Sequence, residues 1–214
     1  MAQLTSAGFR SKTAASAVSL EEVSAARDRI RSDIYLSSCR HSAAISQATG
    51  GRVFLKLDNQ QRTGAFKERG ALNKILTLSE DEKRQGVIAA SAGNHAQAVA
   101  YHATLRGIRA HIVMPLMTPL VKVSATQGFG ADVILHGANY DEAHAEALRF
   151  CAEQGLTFLH PFDDAAVING QGSIGLEVLE QVPDLEVIVV PIGGGGLISG
   201  VACAVKEVRP DFFF

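Results

Sequence analysis

Between Val87 and His160 short apolar runs alternate with longer amphipathic stretches, and this alternation limits the fold more than any other feature of the chain. Val87–Ala90, Ile108–Met114, Ala131–Leu135 and Leu156–His160 read as strands, while Asn94–Arg106, Pro119–Gln127 and Tyr140–Gln154 repeat apolar residues at helical spacing. A helix between two strands returns the second parallel to the first, so the pattern predicts an α/β fold with a mostly parallel sheet covered on both faces. Upstream, Ser19-Leu20-Glu21-Glu22 is a capping box that opens a helix to about Ile30, Arg52–Leu57 reads as a strand, and a helix begins at Lys67 and runs to Leu76. Downstream of Pro161, a helix from about Gly172 to Gln181 leads into a continuous apolar strand, Leu185–Ile192, then four glycines, then a helix over Leu197–Val208. A βαβ crossover ought to deliver a further strand after that helix, but the chain ends in Phe212-Phe213-Phe214, so the sequence reads as one cut short. A chain so ended is expected to be a poor enzyme with an exposed sheet edge.

Composition narrows the partners. The 214 residues are 47% hydrophobic, enough for a buried core, and 20 basic against 22 acidic residues give a formal charge of −2. No Lys/Arg cluster is present to neutralise a run of phosphates, which argues against nucleic acid and acidic membranes and favours a small-molecule partner. Cys39, Cys151 and Cys203 lie far apart, in no Cys-x-x-Cys pair, which fits a reducing cytoplasm rather than a disulfide framework. The seven histidines show no metal-ligand spacing, so no metal is expected. No apolar run approaches the ~20 residues that span a bilayer, and residues 1–18, rich in Ala, Ser and Thr, read as a flexible N-terminus.

Four stretches carry chemistry. Gly193-Gly194-Gly195-Gly196, between an apolar strand and a helix, lets bare backbone N–H groups converge on an anion at the positive end of the helix, as a phosphate requires. A Walker loop would continue with Lys and Ser/Thr, whereas Gly196 is followed by Leu197, so nucleotide hydrolysis is excluded. Gly170-Gln171-Gly172-Ser173-Ile174-Gly175 matches the dinucleotide pattern but follows no convincing strand, and reads as glycines easing the entry of a helix packed close to the sheet. Ser91-Ala92-Gly93-Asn94-His95 places a hydroxyl, an amide and backbone donors at the carboxyl end of a parallel strand, a place for a carboxylate or phenolic oxygen; an ordinary helix cap by Ser91 or Asn94 is the alternative. In Thr63–Gly70, Lys67 stands among small and apolar residues, where burial would free its amine to form a Schiff base; taken alone, Lys67-Glu68-Arg69 reads more readily as a solvated helix start.

Together, Thr63–Gly70, Ser91–Gln97 and Pro191–Gly200, in that order and spacing, resemble the fold-type-II pyridoxal-phosphate enzymes, above all their threonine dehydratase (threonine ammonia-lyase) and serine racemase branch, over about residues 19–211. The resemblance implies a tryptophan-synthase-β-like α/β fold: two parallel-type sheets with flanking helices. It implies a large cofactor-binding domain of residues 19–76 and 161–214, incomplete at its end, and a smaller one of residues 77–160 inserted into it. The implied cofactor is pyridoxal 5′-phosphate. Phe66-Lys67 would supply the Schiff-base lysine, catalytic Lys67; Asn94 would bind the phenolic oxygen; Gly193, Gly194, Gly195, Gly196 and Leu197 would hold the phosphate; and Ser91, Ala92, Gly93, Asn94 and His95 would hold the substrate carboxylate.

The implied reaction is α,β-elimination of water from L-threonine or L-serine to a 2-oxo acid and ammonia, with isoleucine biosynthesis as setting and a homo-oligomer as the completed form. Racemase or β-replacement chemistry is the enzymatic alternative, and a non-catalytic fragment, or half of an assembly completed by a partner chain, the other. The branch's racemases carry a serine where Ala92 stands, and Ala92 cannot move a proton, which favours elimination. Ala65 replaces a usual serine, Asp58 a common glutamate, and Gln127-Gly128-Phe129 an Arg-containing stretch; the Ser or Thr that faces the pyridine nitrogen has no counterpart in these 214 residues.

Overall fold

In a computed structural model that describes residues 17–214, the first helix, α1 (Leu20–Ile30), starts where the Ser19 hydroxyl accepts the Glu22 N–H at 3.2 Å. A short antiparallel ribbon follows, β1 (Cys39–His41) and β2 (Phe54–Lys56), joined through α2 (Ala43–Thr49). Next come α3 (Lys67–Leu76), the short α4 (Glu80–Gln85), β3 (Val87–Ala90), α5 (Asn94–Thr104), β4 (Ala110–Met114), α6 (Leu120–Gly128), β5 (Asp132–Leu135), α7 (Tyr140–Gln154) and β6 (Thr157–Phe158). Two long helices close the order, α8 (Ala165–Gln181) and α9 (Gly196–Val208). The flexible terminus expected for residues 1–18 lies, but for its last two residues, outside the described part.

The predicted parallel sheet is present, with order β5-β4-β3-β6 and every pairing parallel. All four residues of β3 are buried because the strand is central and covered on both sides. Val87 and Ala89 face one way, into a core with Ile112, Met114 and the α5 residues Ala96, Val99 and Ala103; Ile88 and Ala90 face the other, against Val113 and the α7 residues Ala143 and Ala147. Strands β4 and β5 extend the sheet on one side of β3 and β6 returns to the other, so the order reverses beside the carboxyl end of β3. In open α/β sheets ligands bind at such a reversal.

Three expectations change. The strand read at Arg52–Leu57 shortens to β2 and pairs antiparallel with a β1 that no sequence signal marked. The helix placed at Gly172–Gln181 begins seven residues earlier, because Asp164 caps it by accepting the Val167 N–H at 3.1 Å, and it absorbs the whole Gly170–Gly175 pattern. Leu185–Ile192 is no regular strand among the described residues: it is tied by one parallel bridge, Val187 to Phe213, and Val189 is 91% exposed. An apolar run specifies a strand only where a neighbouring backbone offers it a ladder. The second parallel sheet expected from the resemblance is therefore reduced here to that bridge, beside the antiparallel ribbon.

The glycines of α8 serve contact, but with the helices α1, α3 and α9 rather than with the sheet. A Cβ on Gly170 would sit 2.6 Å from the Arg69 carbonyl oxygen, and one on Gly200 of α9 only 2.2 Å from that of Ile168. Helices α3, α8 and α9 therefore approach backbone to backbone, which carries the first turns of α3 and α9 toward each other. Gly200→Ala should destabilise the chain by ~1–2 kcal/mol, since overpacking costs ~1–3 kcal/mol and the gain in helix propensity returns at most ~1 kcal/mol. Gly128→Ala, which meets nothing within 4 Å, should be neutral or stabilising. Urea denaturation of both variants checks this contrast.

Candidate functional site

Gly64, at φ +76°, turns the chain into α3, and no side chain caps that helix. Its first residue, Lys67, is half-buried and directs Nζ 2.5 Å from the carbonyl oxygen of Pro161, 5.4 Å above the Phe66 ring. Burial lowers the lysine pKa below its ordinary range, so a larger share of the amine is unprotonated at neutral pH. A solvated helix start is thereby overturned at this position, and so it is at the next two. Glu68 accepts the backbone N–H of Thr63 and lies 3.3 Å from His102 Nε2, while Arg69, fully buried, pairs with Asp58 at 2.7 Å and Glu177 at 2.6 Å. Arg69 can be buried because two carboxylates meet it, and Glu68 because a backbone N–H and the His102 ring do.

The other wall is the glycine turn. Gly195 adopts φ +87°, open to glycine and strained for any other residue, and sets the start of α9 without a side-chain cap. By contrast α1, α2, α4, α7 and α8 are capped by Ser19, Ser42, Ser79, Asn139 and Asp164. The first N–H groups of α9 are thus open to an external acceptor, at the positive end of the helix dipole. A Cβ at Gly193 or Gly195 would meet nothing within 4 Å, whereas one at Gly194 would enter the Phe162 ring at 2.3 Å. So Gly193 and Gly195 keep space clear, and Gly194 lets the turn close over Phe162.

Both walls line one cavity of about 260 Å³, formed by Phe66, Lys67, Pro161, Phe162, Gln171 and Pro191–Leu197. A neighbouring cavity of about 480 Å³ shares Phe66, Pro191 and Leu197 with it and adds Asn94. The structure thus gathers Phe66, Lys67, Asn94, Gly193, Gly194, Gly195, Gly196 and Leu197. Of the Ser91–His95 stretch, only Asn94 lines either cavity.

That stretch follows β3. Its Ser91 hydroxyl accepts the Gly93 N–H at 3.3 Å and so shapes the turn rather than capping α5, which has no side-chain cap. Ala92 packs its methyl on the apolar core. The His95 ring points inward, Nε2 3.0 Å from the Leu159 carbonyl oxygen, and burial pushes its pKa down to about 4. What His95 offers a ligand is backbone alone; its ring is fixed against the segment after β6.

Sequence reasoning passed over Arg69, Glu177, Lys56 and Gln171. Lys56 Nζ lies 2.6 Å from Glu177 and 2.5 Å from the Ser37 carbonyl oxygen. A lysine on an exposed-looking strand and a glutamate deep in a helix carry no mutual signal at a separation of 121 positions. Gln171 was visible only as a filler between glycines. Among the described residues no cluster of His, Cys, Asp and Glu suits a metal ion, and no helix is long and apolar enough to cross a membrane.

The residues present fit the implied cofactor. An aldehyde needs an unprotonated amine, which burial favours at Lys67, and a phosphate needs converging N–H donors without intruding side chains, which the open Gly193 and Gly195 positions at the uncapped α9 provide. The family described as pyridoxal-phosphate dependent enzyme matches residues 30–212. The chain is 50% identical over 194 residues to an L-threonine ammonia-lyase of Thermotoga maritima, covering 91% of this chain and 48% of that protein. It is 44% identical over 193 residues to the L-threonine dehydratase catabolic TdcB of Escherichia coli strain K12, covering 90% of this chain and 59% of that one. Among solved structures, maize serine racemase superposes with a TM-score of 0.89 at 40% identity, over 92% of this chain and 60% of that chain. The processed form of threonine deaminase isoform 2 from Solanum lycopersicum gives 0.84 at 40% identity, over 90% and 53%. The chain thus spans about half the length of the curated relatives it matches.

The buried imidazole of His95 makes stability depend on pH. Unfolded, it takes up a proton near pH 6.5; folded, only near pH 4, so acidification favours the unfolded chain. Stability should fall between pH 6.5 and pH 4 by as much as ~3 kcal/mol from this group. Denaturation curves at pH 7, 6, 5 and 4 should show a shallower loss for His95→Gln than for the wild type.

Proposed function

The chain belongs to the pyridoxal-phosphate-dependent enzyme family, and from that premise we propose that its site serves α,β-elimination of water from L-threonine, with L-serine as the related substrate. The observation that carries the reading is the cavity in which a half-buried lysine amine and an uncapped glycine-led helix start face one space. Similarity to proteins named threonine ammonia-lyase and threonine dehydratase supports the substrate class.

Pyridoxal phosphate, when bound, supplies a carbonyl that condenses with amines and a ring that withdraws electrons from the substrate Cα. The N–H groups at the start of α9 would hold its phosphate, and Asn94, in the neighbouring cavity that shares Phe66 with this one, its phenolic oxygen. Lys67 Nζ is the base: its lowered pKa leaves an unprotonated amine to take the proton from the substrate Cα. The Pro161 carbonyl oxygen accepts from the same nitrogen and holds the side chain on the cavity side of α3. The uncapped start of α5 would receive the substrate carboxylate through backbone N–H groups of the Ser91–His95 stretch. Ala92 presents only a methyl, so no second acid–base group stands there, which supports elimination over racemisation.

The division into an inserted domain of residues 77–160 and a surrounding one belongs to this reading, supported by the four parallel strands lying between Val87 and Phe158. So does a cytoplasmic setting, supported by three free cysteines. Self-association is supported by the exposed apolar side chains Leu116, Met117, Leu120 and Val121 at and before the start of α6. Relatives named for catabolism stand among those matched, so the proposal is confined to the reaction and leaves out isoleucine biosynthesis.

Hydride reduction of the chain with pyridoxal phosphate, followed by peptide mapping, should label Lys67, and Lys67→Ala should remove the label and, in a chain extended to the length of its relatives, 2-oxobutanoate formation. Label on Lys56, held by Glu177, or on Lys74, held by Asp164 at 2.7 Å, would contradict the assignment. A second prediction concerns Gly193→Val. Its side chain enters open space, so apo stability should hardly change while affinity for pyridoxal phosphate falls at least about tenfold. Unchanged affinity in a fluorescence titration places the phosphate elsewhere.

A further inference from the structure

Gln171 is 1% exposed, and neither end of its carboxamide has a hydrogen-bond partner. Unpaired buried amides are uncommon because each lost hydrogen bond leaves a desolvated group. This one borders the cavity that also holds Lys67 and the Gly193–Gly196 turn. Its Nε2 lies 2.4 Å from where a Cβ on Gly70 would stand, and positions 67 and 70 share one face of α3, so the amide sits a turn along from Lys67. Gly70 has no side chain, which leaves the amide room, and its last torsion is broad, so it can turn its donor end to a ligand.

We propose that Gln171 is a phosphate-binding residue: its Nε2 donates a hydrogen bond to the anionic group held at the start of α9, adding a side-chain donor from α8 to the backbone donors of the glycine turn. The inference rests on the reading of this cavity as the cofactor-phosphate site. A neutral donor suits the place. The dipole of α9 already supplies positive charge, and a cation beside Lys67 would lower the affinity of its amine for a proton further.

The test compares pyridoxal phosphate with pyridoxal, which lacks the phosphate, in equilibrium titrations of the 214-residue chain, together with thermal melting of the apo chain. Wild type should prefer pyridoxal phosphate. Gln171→Met keeps the volume and removes the donor: the preference should shrink roughly 10- to 100-fold, pyridoxal affinity should stay unchanged, and the apo melting temperature should hold or rise, because an unpaired amide is gone. Gln171→Glu keeps the shape and sets a carboxylate toward the phosphate, so it should shrink the preference at least as much; it serves as well where the methionine variant does not fold. A preference equal to wild type in either folded variant overturns the assignment to Gln171. Equal losses for both ligands, or a marked fall in apo melting temperature, assign it a purely structural role and overturn it too. Absence of any preference in wild type overturns the reading of the cavity itself, and this inference with it.

Discussion

A fully buried arginine holds the site in place. Arg69 reaches Asp58 through Nε and Nη2, Glu177 through both terminal nitrogens, and the Ser173 hydroxyl through Nη1. One guanidinium thereby ties the segment after β2 and helix α8 to α3. Burial alone would raise the carboxyl pKa of Asp58, but the Arg69 guanidinium outweighs it and holds the group below its ordinary range. Removing one partner from a buried pair typically costs ~3–5 kcal/mol, because the other charge is stranded. Lys67 is two residues from this arginine, so any slip of α3 against α8 would move the amine as well.

The second constraint is the absence of side chains between helices. Gly70 against Gly170, and Gly200 against Gly172, let three helices approach at backbone distance. The charge cluster fixes register and the glycines fix separation. Neither alone would bring a lysine at the start of one helix and an open glycine turn at the start of another to the same cavity. The consequence is a site whose groups come from residues 66–67, 94 and 191–197 without any of them touching in sequence.

What could be read from the sequence follows from where the information is local. Strand β3 and helices α3 and α7 appear at their expected boundaries, because apolar spacing and capping residues such as Asn139 act within a few positions. The glycine run was visible as chemistry, since four glycines are unusual between an apolar run and a helix, whereas Lys67 became so only beside the other motifs. The Leu185–Ile192 run misled because a strand depends on a neighbour, and its composition cannot report whether one is there. Burial of Glu68 and Arg69 was illegible for a similar reason: their partners His102, Asp58 and Glu177 lie 34, 11 and 108 positions away. His95 entered the expected carboxylate site only through the resemblance, and its inward ring was decided by the Leu159 carbonyl on the segment after β6.

The claim at the centre of this account is that Lys67 and the start of α9 hold the two ends of one cofactor. A crystal structure of the chain grown with pyridoxal phosphate tests it most directly. The account predicts continuous density from Lys67 Nζ to the cofactor, with phosphate oxygens ~3 Å from backbone nitrogens between Gly193 and Leu197. Phosphate density at the start of α5, or a bond to any other lysine, would contradict it.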